Sequence, residues 1–519
     1  MELIKKRVHM SKCNCKTTAQ ITLNDDFNVP DAKADALSLV KEQGEILHCD
    51  ITANGTKGVL RGELAFTVLY LGDEEGRPVC DYSGTLPFEE TVNLGEREND
   101  DEVTVHCRID DLRGELINSR KIGMKAVVTA EIVAECIYDG EGAVGVEGED
   151  VYIKERNLDV VQLAMCKKDT FRYRDQWVLP ATKEPVEHIL YCQVCIREMN
   201  TRLVEDKINI TGQGKLFVLY RTAEEQPRLD FFETTFPIQG SVDCNGCDET
   251  MIPHIEMEIH SKDVGIKEDE DGEMRLVDLE MVINLFIKIF RQEQLQLLED
   301  FYSTQMTIKP VYETSHFENL IMKNDAKSRI VGKIQLPEDE KVLQVWDVDG
   351  DLRVDSSEIV DNGVMVRGVA DVSALYVTAQ SDQTIGNAKA SIPFEQLVEI
   401  PGIQQDSMYF LGASLDELNG AVLSDQEIEV KGIISLDIIA FEKISLPILS
   451  DFTWEELDGA KRSKEPGLVA YIVKESESLW DIAKEFYTTK EAIMELNELE
   501  NERVHQGDML LLMKEVPTI

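Results

Sequence analysis

Several groups of residues in this 519-residue chain have types and spacings that could do chemistry. Cys192-x-x-Cys195 and Cys244-x-x-Cys247 have the spacing of zinc half-sites, in which two thiolates hold one side of a tetrahedral ion. The first pair lies in an alternating stretch, Tyr191 to Arg197, and strand residues three apart face opposite sides, so one ion does not easily reach both. The second pair flanks an Asn245-Gly246 turn and has better geometry, but the gap between the pairs exceeds finger spacing. Buried or turn thiols are the expectation, with no metal. Asp347, Asp349 and Asp351, with Glu358 at position twelve, imitate a calcium loop, yet the required glycine at position six is Leu352. The stretch reads instead as a hairpin turning at Asp349-Gly350. His254 and His260 fall on one face of an alternating strand without a His-Glu-x-x-His pattern, and read as structural. Neither a Gly-x-Ser-x-Gly elbow nor a phosphate loop ending in Gly-Lys-Ser/Thr is present. No catalytic residue and no cofactor is expected, and the chain is not expected to be an enzyme.

The elements that carry these residues repeat. Three strands end on Leu-Tyr: Leu69-Tyr70, Leu219-Tyr220 and Leu375-Tyr376. Each has a glycine eight residues before the tyrosine (Gly62, Gly212, Gly368) and a proline seventeen after it (Pro87, Pro237, Pro393). Pro30, Pro180 and, one position off, Pro337 precede them by about forty. The fixed offsets imply a repeated unit with a period of about 150 residues. Within each copy a short amphipathic turn or helix is expected after the first proline (Ala36, Leu37, Leu39, Val40; Val186, Ile189, Leu190), followed by alternating strands. A long apolar strand closes each copy: Met124–Ile132, Leu279–Ile287 and Val430–Ile438. The glycine before each Leu-Tyr marks a bulge or a close backbone approach. The fold class is mainly β: three antiparallel β-rich, sandwich- or barrel-like repeats and a small C-terminal unit. The expected divisions are 1–150, 151–300, 301–458, a linker at 459–467, and 468–519. Asp139 to Gly145 reads as a Gly-rich loop ending copy one, and 291–326 as the join between copies two and three.

Composition sets limits on partners. The chain has 53 basic and 99 acidic residues, a net charge of −46, which repels nucleic acid and anionic lipid. No apolar run is long enough to span a membrane, so no membrane insertion is expected. Lys5, Lys6 and Arg7 have no apolar stretch behind them, so no secretory signal is expected and the cytoplasm is the expected location. All eleven cysteines precede residue 248 and are expected as thiols.

The tail can be built from local physics. Tyr471 and Val473 alternate on a strand; Ser478 can cap a helix with Asp481 in its first turn; Leu479, Ile482, Ala483 and Phe486 share a helical face. Thr488 with Glu491 reads as the capping box of a second helix whose core side is Ala492, Ile493 and Leu496. Trp480 serves either packing or a partly exposed contact. The small, polar linker would let this unit swing.

From Ala470 to Met513 the order of residues resembles a LysM module, a βααβ unit that binds N-acetylglucosamine glycans. The resemblance places a partner- or glycan-binding groove between the loop Ser476, Glu477, Ser478, Leu479 and the loop after the second helix, Asn497, Glu498, Leu499, Glu500, with Trp480 beside the first. The usual Gly-Asp is Ser476-Glu477 here, the usual Pro-Gly is Gln506-Gly507, and the last strand's proline is Met513. Upstream, Asn28-Val-Pro-Asp31, the Gly62 to Tyr70 strand, Leu86-Pro-Phe88-Glu and Asn118-Ser-Arg120-Lys121 resemble the repeated domain of SipL-type clostridial spore-coat morphogenesis proteins, with SpoVID a more distant functional counterpart. That resemblance implies a non-enzymatic assembly adaptor in the mother-cell cytoplasm, recruited to the forespore surface, whose LysM docks the coat-basement ATPase SpoIVA. The alternative it leaves is an anchor that binds peptidoglycan. A glycan hydrolase built on paired carboxylates is the remaining rival.

Overall fold

The computed structural model describes residues 1–95, 101–337, 340–379, 385–457 and 467–513, apart from the side chains of 12–14. Ahead of the tail, the described residues form three sets of six antiparallel strands. The first is β1 (Glu2–Asn28), β2 (Ala36–Asn54), β3 (Lys57–Gly72), β4 (Val79–Asn93), β5 (Glu102–Asn118) and β6 (Lys121–Glu147). The second is β7 (Val151–Val178), β8 (Val186–Val204), β9 (Lys207–Thr222), β10 (Leu229–Asp243), β11 (Ile252–Glu268) and β12 (Met274–Ser303). The third is β13 (Met306–Gln335), β14 (Val342–Val360), β15 (Gly363–Thr378), β16 (Ile385–Glu399), β17 (Met408–Ser424) and β18 (Glu427–Glu456).

Each set makes two three-stranded sheets, β1-β6-β5 with β2-β3-β4 in the first and their equivalents in the others. The sheets enclose a core of alternating inward residues, such as Leu60, Leu64, Phe66, Val68 and Tyr70 against Met124, Ala126, Val128 and Ala130. The three repeat tyrosines are fully buried, and each hydroxyl finds an acceptor: Ala34 O, Asp230 and Glu340. The glycines are close approaches. A Cβ on Gly62 would lie 2.4 Å from Phe88 Cζ and 2.7 Å from His48 O; one on Gly368 would lie 2.1 Å from Arg353 O and 2.9 Å from the Phe394 ring. The bulges sit on the neighbouring strand, at Ile46/His48 and Val354/Ser356, and not at the glycine itself.

Four expectations need correction. A short turn does follow Pro30 and Pro180, closed by Lys33 N and Lys183 N donating to the proline carbonyls at 2.9 Å, but the residues expected to carry it, Ala36 to Val40 and Val186 to Leu190, lie in strands and form no helix. Register shifts at Ala36/Ser38 and Leu39/Lys41 interrupt the alternation, and that interruption imitates helical spacing. Asp349-Gly350 is no turn: β14 runs through it, Gly350 pairs with Val372, and the chain reverses at Asn362, whose φ is +67°. Asp139 to Gly145 lies inside β6, where Gly140 packs under Met10 and Phe317 and Gly142 under Leu297. The join between copies two and three is two residues, Thr304 and Gln305, because β12 and β13 fill nearly all of 291–326. Cys49 on β2 and Cys107 on β5 lie side by side, with Cα atoms 6.6 Å apart. The linker at 459–466 lies outside the described residues.

The repeats pack on one another, each touching both others. The leucines of the Leu-Tyr motif make one shared cluster: Leu69, Leu219 and Leu375 meet with Tyr191, Phe217 and Ile385. The far ends of the long strands make a second, with Val8, Met10, Leu158, Leu297, Phe317 and Leu446. Beside the first cluster, through its member Tyr191, lies a buried polar knot. Lys41, 3% exposed, donates to Asp349 at 3.1 Å and to Ser373 at 2.8 Å, while the Tyr191 hydroxyl donates to Asp349 at 3.0 Å. Lys215 reaches Asp347 at 2.8 Å. Each contact crosses a repeat boundary.

Candidate functional site

The tail is built on β19 (Leu468–Ile472), α1 (Leu479–Glu485), α2 (Lys490–Leu496) and β20 (Met509–Met513), with β19 and β20 antiparallel. Val473, Leu479, Ile482, Ala483, Ile493, Leu510 and Leu512 form its core. Ser478 caps α1 in a reciprocal box: its Oγ accepts from the Asp481 N–H, and the Asp481 carboxylate accepts from the Ser478 N–H at 2.9 Å. The second cap is Thr489, whose Oγ1 accepts from Ala492 N at 3.0 Å; Thr488, the residue expected there, is buried one position earlier.

The two loops flank the helices, and most of their side chains have structural work. Ser476 stands at φ +64°, in the left-handed region where glycine is at ease. Glu477 accepts from the Tyr471 hydroxyl at 2.8 Å, from Lys474 N at 2.9 Å and from Lys474 Nζ at 3.2 Å, and the Lys474 N–H holds its carboxyl below the usual range. Asn497 staples α2 to β20: its amide donates to Ile493 O and Leu511 O at 2.8 Å and accepts from Leu511 N at 2.7 Å. Glu498, at φ +54°, is exposed, and Leu499 is half-buried against the core. Leu479 is 1% exposed and Trp480 7%, so both are withdrawn from solvent. Ser476, Ser478 and Glu498 remain the exposed members of the expected set.

Matches to known families bear on both parts. The family model described as SipL, SPOCS domain, matches three times, at 35–117, 185–267 and 341–423, and the LysM domain model matches 471–512. The chain is a SipL-like protein with repeated SPOCS domains and a C-terminal LysM domain. No curated protein and no solved structure matches it. In this SipL-like chain each SPOCS match spans the second to fifth strand of a repeat, while the first and sixth complete one of the two sheets. Both families are non-catalytic.

The other candidates resolve into packing. Cys244 and Cys247 are buried in their turn. The Cys244 thiol contacts Met165 Sδ, and burial pushes it up to about 12, so it stays protonated. Cys192 and Cys195 are half-buried on β8. Among the described residues no group of three or more His, Cys, Asp or Glu could hold a metal. Asp347 and Asp349 are answered by lysines of other repeats. His254 is buried, stacks on Phe410 and bonds Glu256 at 3.2 Å, while a bulge at His260 breaks the alternation that would have aligned the two histidines. A polar cavity of about 1780 Å³ lies between the repeats. Several of its acids already have cations beside them: Glu42 with Lys389, Glu45 with Lys262, Asp110 with Arg108 and Asp349 with Lys41. Those pairings oppose the free carboxylate dyad a hydrolase requires.

Proposed function

We infer that this SipL-like chain is a non-enzymatic adaptor of spore-coat and envelope assembly, in which a trunk of three repeats (1–150, 151–300, 301–458) presents a LysM module (468–519) to envelope material. The observation that carries this reading is the order of matches, three SPOCS domains followed by one LysM domain. The LysM match favours an N-acetylglucosamine glycan of peptidoglycan as the module's ligand. The loops at Ser476 to Ser478 and Asn497 to Leu499 would line the groove, with Ser476, Ser478 and Glu498 offering exposed polar atoms.

A second reading has SpoIVA as the docked partner, at the mother-cell face of the forespore. It is favoured by the exposed acids of the second loop, Glu498 and Glu500, which are free to meet a protein partner. Co-sedimentation of the full chain with purified peptidoglycan, beside capture on immobilised SpoIVA, separates the readings. Retention by peptidoglycan supports the first and retention by SpoIVA alone the second. Retention by neither contradicts the adaptor role of the module.

A further inference from the structure

The face of α1 that carries Trp480 is turned to the trunk, where β12 hands over to β13. The indole meets the Tyr302 ring edge-on, with centroids 4.8 Å apart and planes at 75°, and its Nε1–H donates to Asp300 Oδ2 at 2.9 Å. Lys484, one helical turn on, donates to both oxygens of the same carboxylate at 2.6 and 2.8 Å. The Tyr302 hydroxyl donates to the Thr488 carbonyl at 2.9 Å, and the hydroxyls of Thr307 and Tyr487 lie 3.1 Å apart. Tyr302 is only 3% exposed, backed on its trunk side by Tyr152 at 5.3 Å. A register shift between Leu298 and Asp300 marks a bulge at the end of β12, the kind of irregularity that re-aims a side chain.

We propose that the bulged end of β12 is a receptor site for the chain's own LysM module, with Asp300 as the shared acceptor and Trp480 as the plug. The module is then held in one orientation and does not swing on its tether. In the docked state Ser476 and Glu498 stay open to solvent while the indole is withheld. A ligand that reads the loops binds without undocking. One that needs the indole must first break the Asp300 contacts, and its apparent affinity falls by the fraction of chains that are open. This goes beyond the adaptor reading and does not depend on which ligand the loops take.

The test is hydroxyl-radical footprinting of the full chain, read residue by residue. Trp454, 48% exposed, is the internal reference. Trp480 is expected to oxidise about tenfold more slowly than Trp454, and Asp300→Ala to raise its rate by about tenfold, as loss of a charge-assisted contact implies. Trp177 and Trp346 report trunk folding and are expected not to change. If Asp300→Ala exposes them too, Lys484→Ala, on the module's side, is read in its place. A wild-type Trp480 as reactive as Trp454 overturns the proposal, and so does a folded variant in which Trp480 stays as protected as in the wild type.

Discussion

Replacing Lys41 by methionine tests whether the three repeats are locked together at their centre. The substitution keeps most of the apolar stem and removes the charge. It deletes the bonds to Asp349 and Ser373, leaving the Asp349 carboxylate with the Tyr191 hydroxyl alone; its other oxygen is already buried without a partner. Removing one member of a buried pair typically costs about 3–5 kcal/mol, because the remaining charge has lost its compensation. Lys389→Met is the control: Lys389 is half exposed, and exposed pairs contribute about 1 kcal/mol or less. Urea unfolding followed by fluorescence suits the question, since Trp346 sits beside the shared cluster. Lys41→Met is expected to lower the midpoint by an amount equivalent to about 3 kcal/mol or more, with an unchanged slope. Adding Asp349→Asn should return part of that loss. A cost for Lys41→Met no larger than the control's would refute the lock.

Three further outcomes follow from local geometry. Gly62→Ala would place a Cβ 2.4 Å from Phe88 and 2.7 Å from a backbone oxygen, so a loss of about 1–3 kcal/mol is expected in thermal unfolding. Ser476→Gly relieves a left-handed serine and should stabilise the LysM transition by about 0.5–1 kcal/mol, seen by calorimetry; a lower transition temperature contradicts the strain. Glu318 is buried, and desolvation raises its carboxyl from 4.5 to about 7, with Lys443 opposing. The folded state therefore holds a proton the unfolded state has released. This contribution is present below about pH 4.5 and is lost as pH rises through about 7. Glu318→Gln should flatten that part of the stability–pH curve.

The repeats were legible because their markers answer to physics that sequence carries directly. A tyrosine that must be buried and bonded, and a glycine with no room for a Cβ (against Phe88, Met199 and Arg353 O in turn), recur at fixed offsets. The Ser478 cap was readable for the same reason, since it depends on residues three apart. What stayed hidden is non-local. Bulges at Leu39/Lys41 made a strand look helical, and Gly140 and Gly142 looked like a loop because the side chains they make room for include Phe317 and Leu297, from other repeats. The expected site fared unevenly in a related way. Its loops could be placed from module order alone, but the Trp480 contact joins residues 180 positions apart, and nothing near Asp300 in sequence announces it.

On the proposed function, the LysM module is the recognition end of a non-enzymatic adaptor. Its most direct test compares retention by purified peptidoglycan of the full chain and of the same chain ending at Leu457. The full chain is expected to be retained and the shortened one is not. Equal retention of both would place recognition in the repeats and rule out the LysM module as the recognition end.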